Sequence, residues 1–392
     1  MTLAQVPFNE VDNLVLSQLA MIRWEALPIP DEKPRLGALG SSLSAEAFKP
    51  GITQKDDRQL LALTAGSPRF GEALVLHYVH ELDEEEDKQF SATSFLLPDN
   101  TMFVSFRGTD GTLVGWREDF NLSLLQPIPS QLQARNYLAQ VMNAYPSLSF
   151  RVGGHSKGGN LAMYAAATQT ESLQQRLIAV YSNDAPGLSD AVFESQGYQR
   201  LLPILHAYVP QSSIIGLLLM HPQDLTIVSS NSVSILQHNP YTWQVERGTF
   251  VREQELQASS VYIDRVTRSW LSGLDEAQRK QFINTLFDTL EATEAKSIGK
   301  DLWLNALRNP KAIVNAMQGL DAETRQKLAE TLSALGNAAA RHIRPIPQHK
   351  AMKLKGEHHE QQNHQGINQG LWRQAGAEVH RPQPGREHPQ NP

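Results

Sequence analysis

The chain has 392 residues, long enough for one large domain plus a smaller one, and length alone does not decide between one domain and two. Its 41% hydrophobic and 19% charged residues are those of a globular protein, and a net charge of -6 offers no general reason to expect nucleic acid as a partner. It contains no cysteine, which excludes disulfides, thiolate catalysis and cysteine-ligated metal centres.

At the N-terminus, Asn9, Glu10 and Asp12 stand where a signal peptide would be apolar, so the expected location is cytoplasmic. Leu14, Leu19 and Ile22 with Trp24 predict an opening helix, ended by Pro28 and Pro30. From there to about residue 68, glycine, serine and proline interrupt short helical pieces and the pattern stays poorly determined. Residues 90–97 and 102–106 predict two strands, joined by a tight turn at Pro98-Asp99-Asn100. The second strand runs into Arg107-Gly108-Thr109-Asp110. Ser130 is the expected cap of a helix reaching Tyr145, and Pro146 stops it.

A strand at 150–152, a glycine-rich turn and an alanine-rich helix at about 159–168 come next. Residues 177–181 predict another strand, followed by Asn183-Asp184-Ala185-Pro186-Gly187. The apolar stretch 214–220 is far short of the roughly 20 residues that cross a bilayer, and reads as a core element or an apolar lip. Further strands are expected at 225–229 and 241–245. Strands alternating with helices predict an α/β fold, with a mixed, mostly parallel sheet and functional loops beyond the carboxyl ends of its strands.

After about Val261 the pattern becomes helical. Asp275 is placed to cap a helix containing Phe282, Ile283, Leu286 and Leu290, and Asp321 one containing Leu328, Leu332 and Leu335. The expected organisation is a core over 1–260, a helical extension over 261–340 that packs on the core or forms its own bundle, and a disordered tail over 341–392. The tail is rich in Gln, Gly, Pro and His, so ordering it would recover little burial. Its histidines are too loosely spaced to specify a metal site, and no metal or organic cofactor is expected.

The most informative segment is Gly154-His155-Ser156-Lys157-Gly158, between a predicted apolar strand and a predicted helix. Gly154 and Gly158 allow helix and strand to approach closely, and the tight turn projects Ser156 into a cleft near the positive end of the helix. That makes Ser156 the candidate nucleophile. The competing reading is a glycine turn whose serine only caps the helix.

A serine hydroxyl needs a base to remove its proton during attack. His238, in Gln237-His238-Asn239-Pro240, is the first choice, because it follows a strand and lies downstream as serine, acid, histidine order requires. His221 is its nearest competitor, His206 reads as a structural residue in or near an apolar helix, and His155 is a poor base but a candidate for orienting the site. Asp184 is the leading acid because it follows the next parallel strand, although it also suits a cap for the Pro186-Gly187 turn. Asp224 is the alternative acid. The oxyanion of a tetrahedral intermediate would meet the backbone N–H of Lys157 and a second donor from Thr109 or Asp110. Arg107 is expected to brace that turn through a salt bridge, and the Thr109 hydroxyl is a further donor.

On these motifs the chain resembles a bacterial family of lipase-like α/β-hydrolases of poorly defined function, related to class-three lipases. Phe106-Arg107-Gly108-Thr109 is similar to their oxyanion turn, with Trp116 and Asp119 in the region that follows it. Gly154 to Ala162 resembles the elbow, and Val209-Pro210-Gln211-Ser212-Ser213-Ile214-Ile215-Gly216 and Gln237-His238-Asn239-Pro240-Tyr241-Thr242-Trp243 resemble downstream segments of the bacterial family. The resemblance covers roughly residues 10–335. It implies an α/β-hydrolase core with a C-terminal helical extension, acyl-ester hydrolysis and a lipid or other small ester as substrate, and it favours His238 over His221. Class-three lipases usually supply their acid later than Asp184. Here that region reads His206-Ala207-Tyr208-Val209-Pro210 and holds no aspartate, so the acid has moved to Asp184 or the triad is impaired.

The expected activity is therefore that of a carboxylic-ester hydrolase, an esterase or lipase. The same triad also attacks amides. A catalytically impaired hydrolase fold used for binding is the alternative from another class. A third reading makes the helical extension a module for a protein partner or for peripheral contact with a membrane, although Asp288, Glu291 and Glu294 keep it from being strongly cationic.

Overall fold

The computed structural model describes residues 1–24, 33–40, 47–48, 53–109, 112–124, 127–219, 221, 224–258, 260–261 and 264–265. The expected helical extension beyond Val261 and the tail, with the caps at Asp275 and Asp321, lie outside the described residues.

Three helices lead in: α1 (Glu10–Leu19), α2 (Leu36–Leu39) and α3 (Gln54–Ala65). The strands β1 (Leu74–Asp83), β2 (Lys88–Leu96) and β3 (Thr101–Phe106) follow, then α4 (Leu113–Leu124) and α5 (Pro129–Ala144). Next come β4 (Ser149–His155), α6 (Lys157–Ala167), α7 (Glu171–Gln174), β5 (Leu177–Asn183), α8 (Asp190–Phe193) and α9 (Gln196–Leu201). Strands β6 (Leu205–Pro210) and β7 (Leu225–Val228) complete the main sheet, and β8 (Val245–Glu246) pairs with β9 (Thr249–Phe250) apart from it.

The seven strands of the main sheet lie side by side in chain order. The pairs β1/β2 and β2/β3 are antiparallel, and every pair from β3 to β7 is parallel. The crossovers between the parallel strands carry α5, α6 and α9, which pack on one face of the sheet, and the lead-in helices α1 and α3 cover the other. This is the core arrangement of an α/β-hydrolase. Alternation along β3 shows why the sheet has two cores: Met102, Val104 and Phe106 face the layer containing α5 and α6, while Phe103 faces the layer containing α1 and α3. Ser105, on the α1 side, donates its hydroxyl to the Leu16 carbonyl at 3.0 Å.

Local chemistry sets several boundaries. Asn9 caps α1 by accepting from the Val11 and Asp12 N–H groups, and the Asp12 carboxylate accepts from the Asn9 N–H in return. The helix stops at Leu19, so Ile22 and Trp24 are buried beyond its end rather than on its face. Ser130 lies inside α5 instead of capping it: Ile128 occupies the cap position, and the Ser130 hydroxyl reaches Glu118 and the Gln89 carbonyl. Residues 241–245 do not form the expected strand. Pro240–Thr242 is a 3-10 turn, Trp243 makes an isolated bridge with Ser230, and a strand begins only at Val245. His206 sits in β6, not in a helix, with its ring 5.1 Å from that of Tyr181. Of the 214–220 stretch, Ile215–Leu217 is a 3-10 turn that buries Gly216 and Leu217, and Met220 lies outside the described residues.

Candidate active site

Only Ser156 separates the end of β4 from the start of α6. Its backbone is held at φ 57° and ψ -132°. A non-glycine residue there carries roughly 1–3 kcal/mol of strain, which the surroundings must oppose. They do so from both sides: the Ser156 N–H donates to the Asn183 carbonyl at 3.0 Å, and its own carbonyl accepts from Gly159 at 2.9 Å and Asn160 at 3.3 Å. The flanking glycines are steric necessities. A methyl group at Gly158 would come within 2.1 Å of the Phe106 carbonyl oxygen, and one at Gly154 within 2.3 Å of the Gly158 backbone. Ser156 stands at the helix cap position, but its side chain makes no capping hydrogen bond. Capping therefore does not explain why a serine is there. The residue is half-buried, whereas every residue of α6 is buried.

Asp184 directly follows β5, the neighbour of β4, and is buried with a positive φ of 46°. Its N–H donates to the Tyr208 carbonyl at 2.7 Å. Its carboxylate has two partners: Oδ1 accepts from the Ser213 hydroxyl at 2.5 Å, and Oδ2 lies 2.6 Å from His238 Nδ1. Both oxygens are thus engaged away from the Pro186-Gly187 turn. His238 closes the 3-10 turn Ser234–His238. That turn is tied down through buried Gln237, whose side chain accepts from the Ser212 N–H and donates to the Ser232 carbonyl, while its own carbonyl accepts from the Trp243 indole.

His155, the residue before Ser156, bonds to the same turn. Its Nε2 is 2.8 Å from the His238 carbonyl, and the two imidazole rings lie 4.5 Å apart. A carbonyl only accepts, so the His155 proton sits on Nε2. Burial, followed by the nearby His238 ring, holds the His155 pKa well below 6.5, which keeps the ring neutral in this role.

The turn after β3 lies against the serine. A methyl group at Gly108 would meet the His155 carbonyl at 2.9 Å and Ser156 Cβ at 3.6 Å. Among the described residues Arg107 forms no salt bridge, contrary to expectation. It is buried and donates to the Ala20 carbonyl at 2.7 Å, the Ile22 carbonyl at 2.6 Å and the Tyr78 hydroxyl at 3.1 Å, so it anchors the turn to the segment after α1. The Thr109 hydroxyl donates to Asp119 Oδ2 at 2.5 Å. Burial pushes the Asp119 carboxyl up to about 6. Asp110, the other expected donor position, lies outside the described residues.

Residues 64–288, more than half of the chain, match the model of the Mbeg1-like family. The chain belongs to that family. No curated protein sequence matches this Mbeg1-like chain significantly. Among solved structures it is similar to Lip2 lipase from Yarrowia lipolytica, 12% identical over 62% of this chain and 96% of that one, with a TM-score of 0.36. A lipase from Rhizopus microsporus var. chinensis is 16% identical over 67% and 84% of the two chains, with a TM-score of 0.36. The Rhizomucor miehei lipase propeptide complex is 17% identical over 53% and 80%, with a TM-score of 0.32. At such scores and identities these likenesses carry no argument about activity.

Within this Mbeg1-like fold, His238, Asp184 and the Ser156 turn meet at the carboxyl end of the parallel strands. His206 and Asp224 are not part of that meeting: His206 lies within β6 against Tyr181, and Asp224 is exposed ahead of β7. His221 is half-buried in the same pre-β7 segment. Sequence reasoning missed three supporting residues. Asn183, next to Asp184, donates to the Gly154 carbonyl at 3.0 Å and pairs with Asn13. Ser213 donates to the Asp184 carboxylate, and Glu118 binds the Lys157 side chain. Position beside Asp184 was a usable signal for Asn183, and the family-like segment from Val209 one for Ser213, but nothing local marked Glu118. Among the described residues no helix is long and apolar enough to cross a membrane.

Proposed function

We propose that this protein is a serine esterase or lipase that cleaves an acyl ester through an acyl-enzyme, with Ser156 as nucleophile, His238 as base and Asp184 as acid. The observation that carries the reading is the 2.6 Å contact between Asp184 Oδ2 and His238 Nδ1, on a turn bonded to the residue before a strained, half-buried serine. A carboxylate at Nδ1 keeps the imidazole proton there, which leaves the lone pair on Nε2 to draw off a hydroxyl proton. With 27% of its side chain exposed, His238 is reached by substrate and water while its acid is not.

In the proposed reaction His238 Nε2 takes the Ser156 proton as Oγ attacks the ester carbonyl carbon. The tetrahedral oxyanion faces the Lys157 N–H, the first of α6 and without a partner inside the helix, and a second donor at Thr109 or Asp110. Collapse breaks the ester bond, and His238 returns its proton to the departing alcohol. His238 then deprotonates a water that attacks the acyl-enzyme, releasing the carboxylic acid and restoring the serine. These steps use only protein groups and water. Val233 and Leu236, both more than half exposed on or beside the turn that ends in His238, suit an apolar acyl chain at the rim.

The test is labelling of the full-length protein with a fluorophosphonate, alongside hydrolysis of p-nitrophenyl esters from acetate to palmitate. Wild type is expected to take the label and turn over an ester, and Ser156→Ala to do neither. Folded wild-type protein that resists labelling and cleaves no ester would favour the binding-protein alternative and overturn the proposal.

A further inference from the structure

A buried ion pair lies beside the serine turn. Lys157 Nζ and Glu118 Oε2 lie 2.9 Å apart, with side chains 1% and 0% exposed. Lys157 also donates to the Gln89 carbonyl at 2.9 Å and to the Gln89 side-chain oxygen at 2.8 Å. Glu118 accepts from the Gln89 N–H at 3.0 Å, the Ser130 N–H at 3.1 Å and the Ser130 hydroxyl at 2.5 Å. The pair therefore joins β2, α4, α5 and the first residue of α6.

Stability is a weak reason for such an arrangement. Withdrawing two ions from water carries a large desolvation penalty, and a well-packed apolar pair of similar volume often holds a fold equally well. Its placement suggests another purpose. Glu118 and Asp119 are consecutive in α4. Asp119 accepts the Thr109 hydroxyl at 2.5 Å, while Glu118 holds the side chain of Lys157, whose backbone N–H heads α6. Two adjacent carboxylates thus grip the two segments that would supply the oxyanion donors.

We infer that the Glu118–Lys157 pair is a positioning device that sets the separation of the Lys157 and Thr109 donors. It acts on the charge that develops during attack, not on capture of the neutral ester. This inference rests on the proposed role of Ser156. Glu118 is a positioning residue, since it works through Lys157 and meets no substrate.

The experiment compares full-length wild type, Glu118→Gln and the double variant Glu118→Leu/Lys157→Met. Thermal midpoint, kcat and KM for p-nitrophenyl butyrate, and affinity for a trifluoromethyl ketone, whose covalent adduct with the serine carries the oxyanion, are measured for each. The double variant is expected to fold with a midpoint near wild type. Its kcat should fall at least tenfold with KM within twofold, and ketone affinity should fall by the same factor as kcat. Wild-type kcat and ketone affinity in the folded double variant would overturn the inference while leaving Ser156 as nucleophile. Wild type that takes no fluorophosphonate and cleaves no ester would remove both. If the double variant does not fold, the isosteric Glu118→Gln decides: a tenfold loss in kcat at constant KM supports the inference, and unchanged kcat overturns it.

Discussion

Asp184 Oδ2 and His238 Nδ1 lie 2.6 Å apart although 54 positions separate them in the chain. Because the carboxylate is buried and also accepts from Ser213, it has little freedom to leave the imidazole. Asp184→Asn preserves shape but not charge, so Nδ1 no longer holds its proton reliably and the imidazolium formed during attack loses its counter-charge. Ester turnover is expected to fall by on the order of 10³ to 10⁴ with the thermal midpoint changed little. Steady-state kinetics on the folded variant check this, and a loss of less than tenfold rules out Asp184 as the acid.

His155 supports His238, the proposed base, from the other side, through a hydrogen bond to its carbonyl and ring contact. His155→Phe keeps the ring and removes the N–H, leaving that carbonyl short of a partner at a cost of about 1–3 kcal/mol. We expect a ten- to hundredfold drop in kcat for the Phe variant and substantial recovery in His155→Gln, whose amide N–H reaches a similar position. Equal activity in the Phe variant and wild type would show that the contact is incidental to turnover.

Close backbone approach makes a sharp steric prediction. Gly158→Ala drives its new methyl group to 2.1 Å from the Phe106 carbonyl, so α6 or β3 must move, at a cost of about 3 kcal/mol or more. Gly66→Ala is the matched control, because its methyl would meet nothing nearer than the Ala62 carbonyl at 3.5 Å. Urea denaturation should show a large loss for the first and a small change for the second. Similar midpoints would contradict the packing described for the turn.

Asp57, buried in α3, accepts from the Tyr241 hydroxyl at 2.7 Å and from Thr53 at 2.9 Å, yet burial outweighs these bonds and pushes its pKa up to about 6. A carboxyl whose folded pKa exceeds its unfolded value binds its proton more tightly when folded. The stability so gained is present below about pH 4 and is lost as pH rises towards and through 6. Asp57→Asn does not titrate, so its stability relative to wild type should improve between pH 4 and pH 7 by on the order of 3 kcal/mol. Urea unfolding of both proteins across that range measures the difference, and a gap that stays constant with pH excludes the effect.

The strand, serine turn and helix from Phe150 to Ala167 were legible because their causes are local: apolar alternation, alanine and two glycines placed where any Cβ would collide. The β2 and β3 hairpin was legible for the same reason, with Asp99 accepting from the Thr101 N–H inside the turn. Strand β1 was not, since its pairing slips between Leu76 and Val79, where His77 takes a positive φ and breaks the alternation that would have announced it. Strand β6 was hidden by its short length and mixed composition, and His206 was misplaced with it.

Residue type and spacing along the chain were enough to nominate Ser156, His238 and Asp184 and to leave Asp224 and His221 as rivals. Which acid lies against which imidazole is a tertiary fact, because the order of β4, β5 and β6 and the path of the Ser234–His238 turn bring Asp184 to His238. The Glu118–Lys157 pair belongs to the same class of fact: in sequence these are two ordinary charges, and only packing from four elements removes them from water and gives them a single partner geometry.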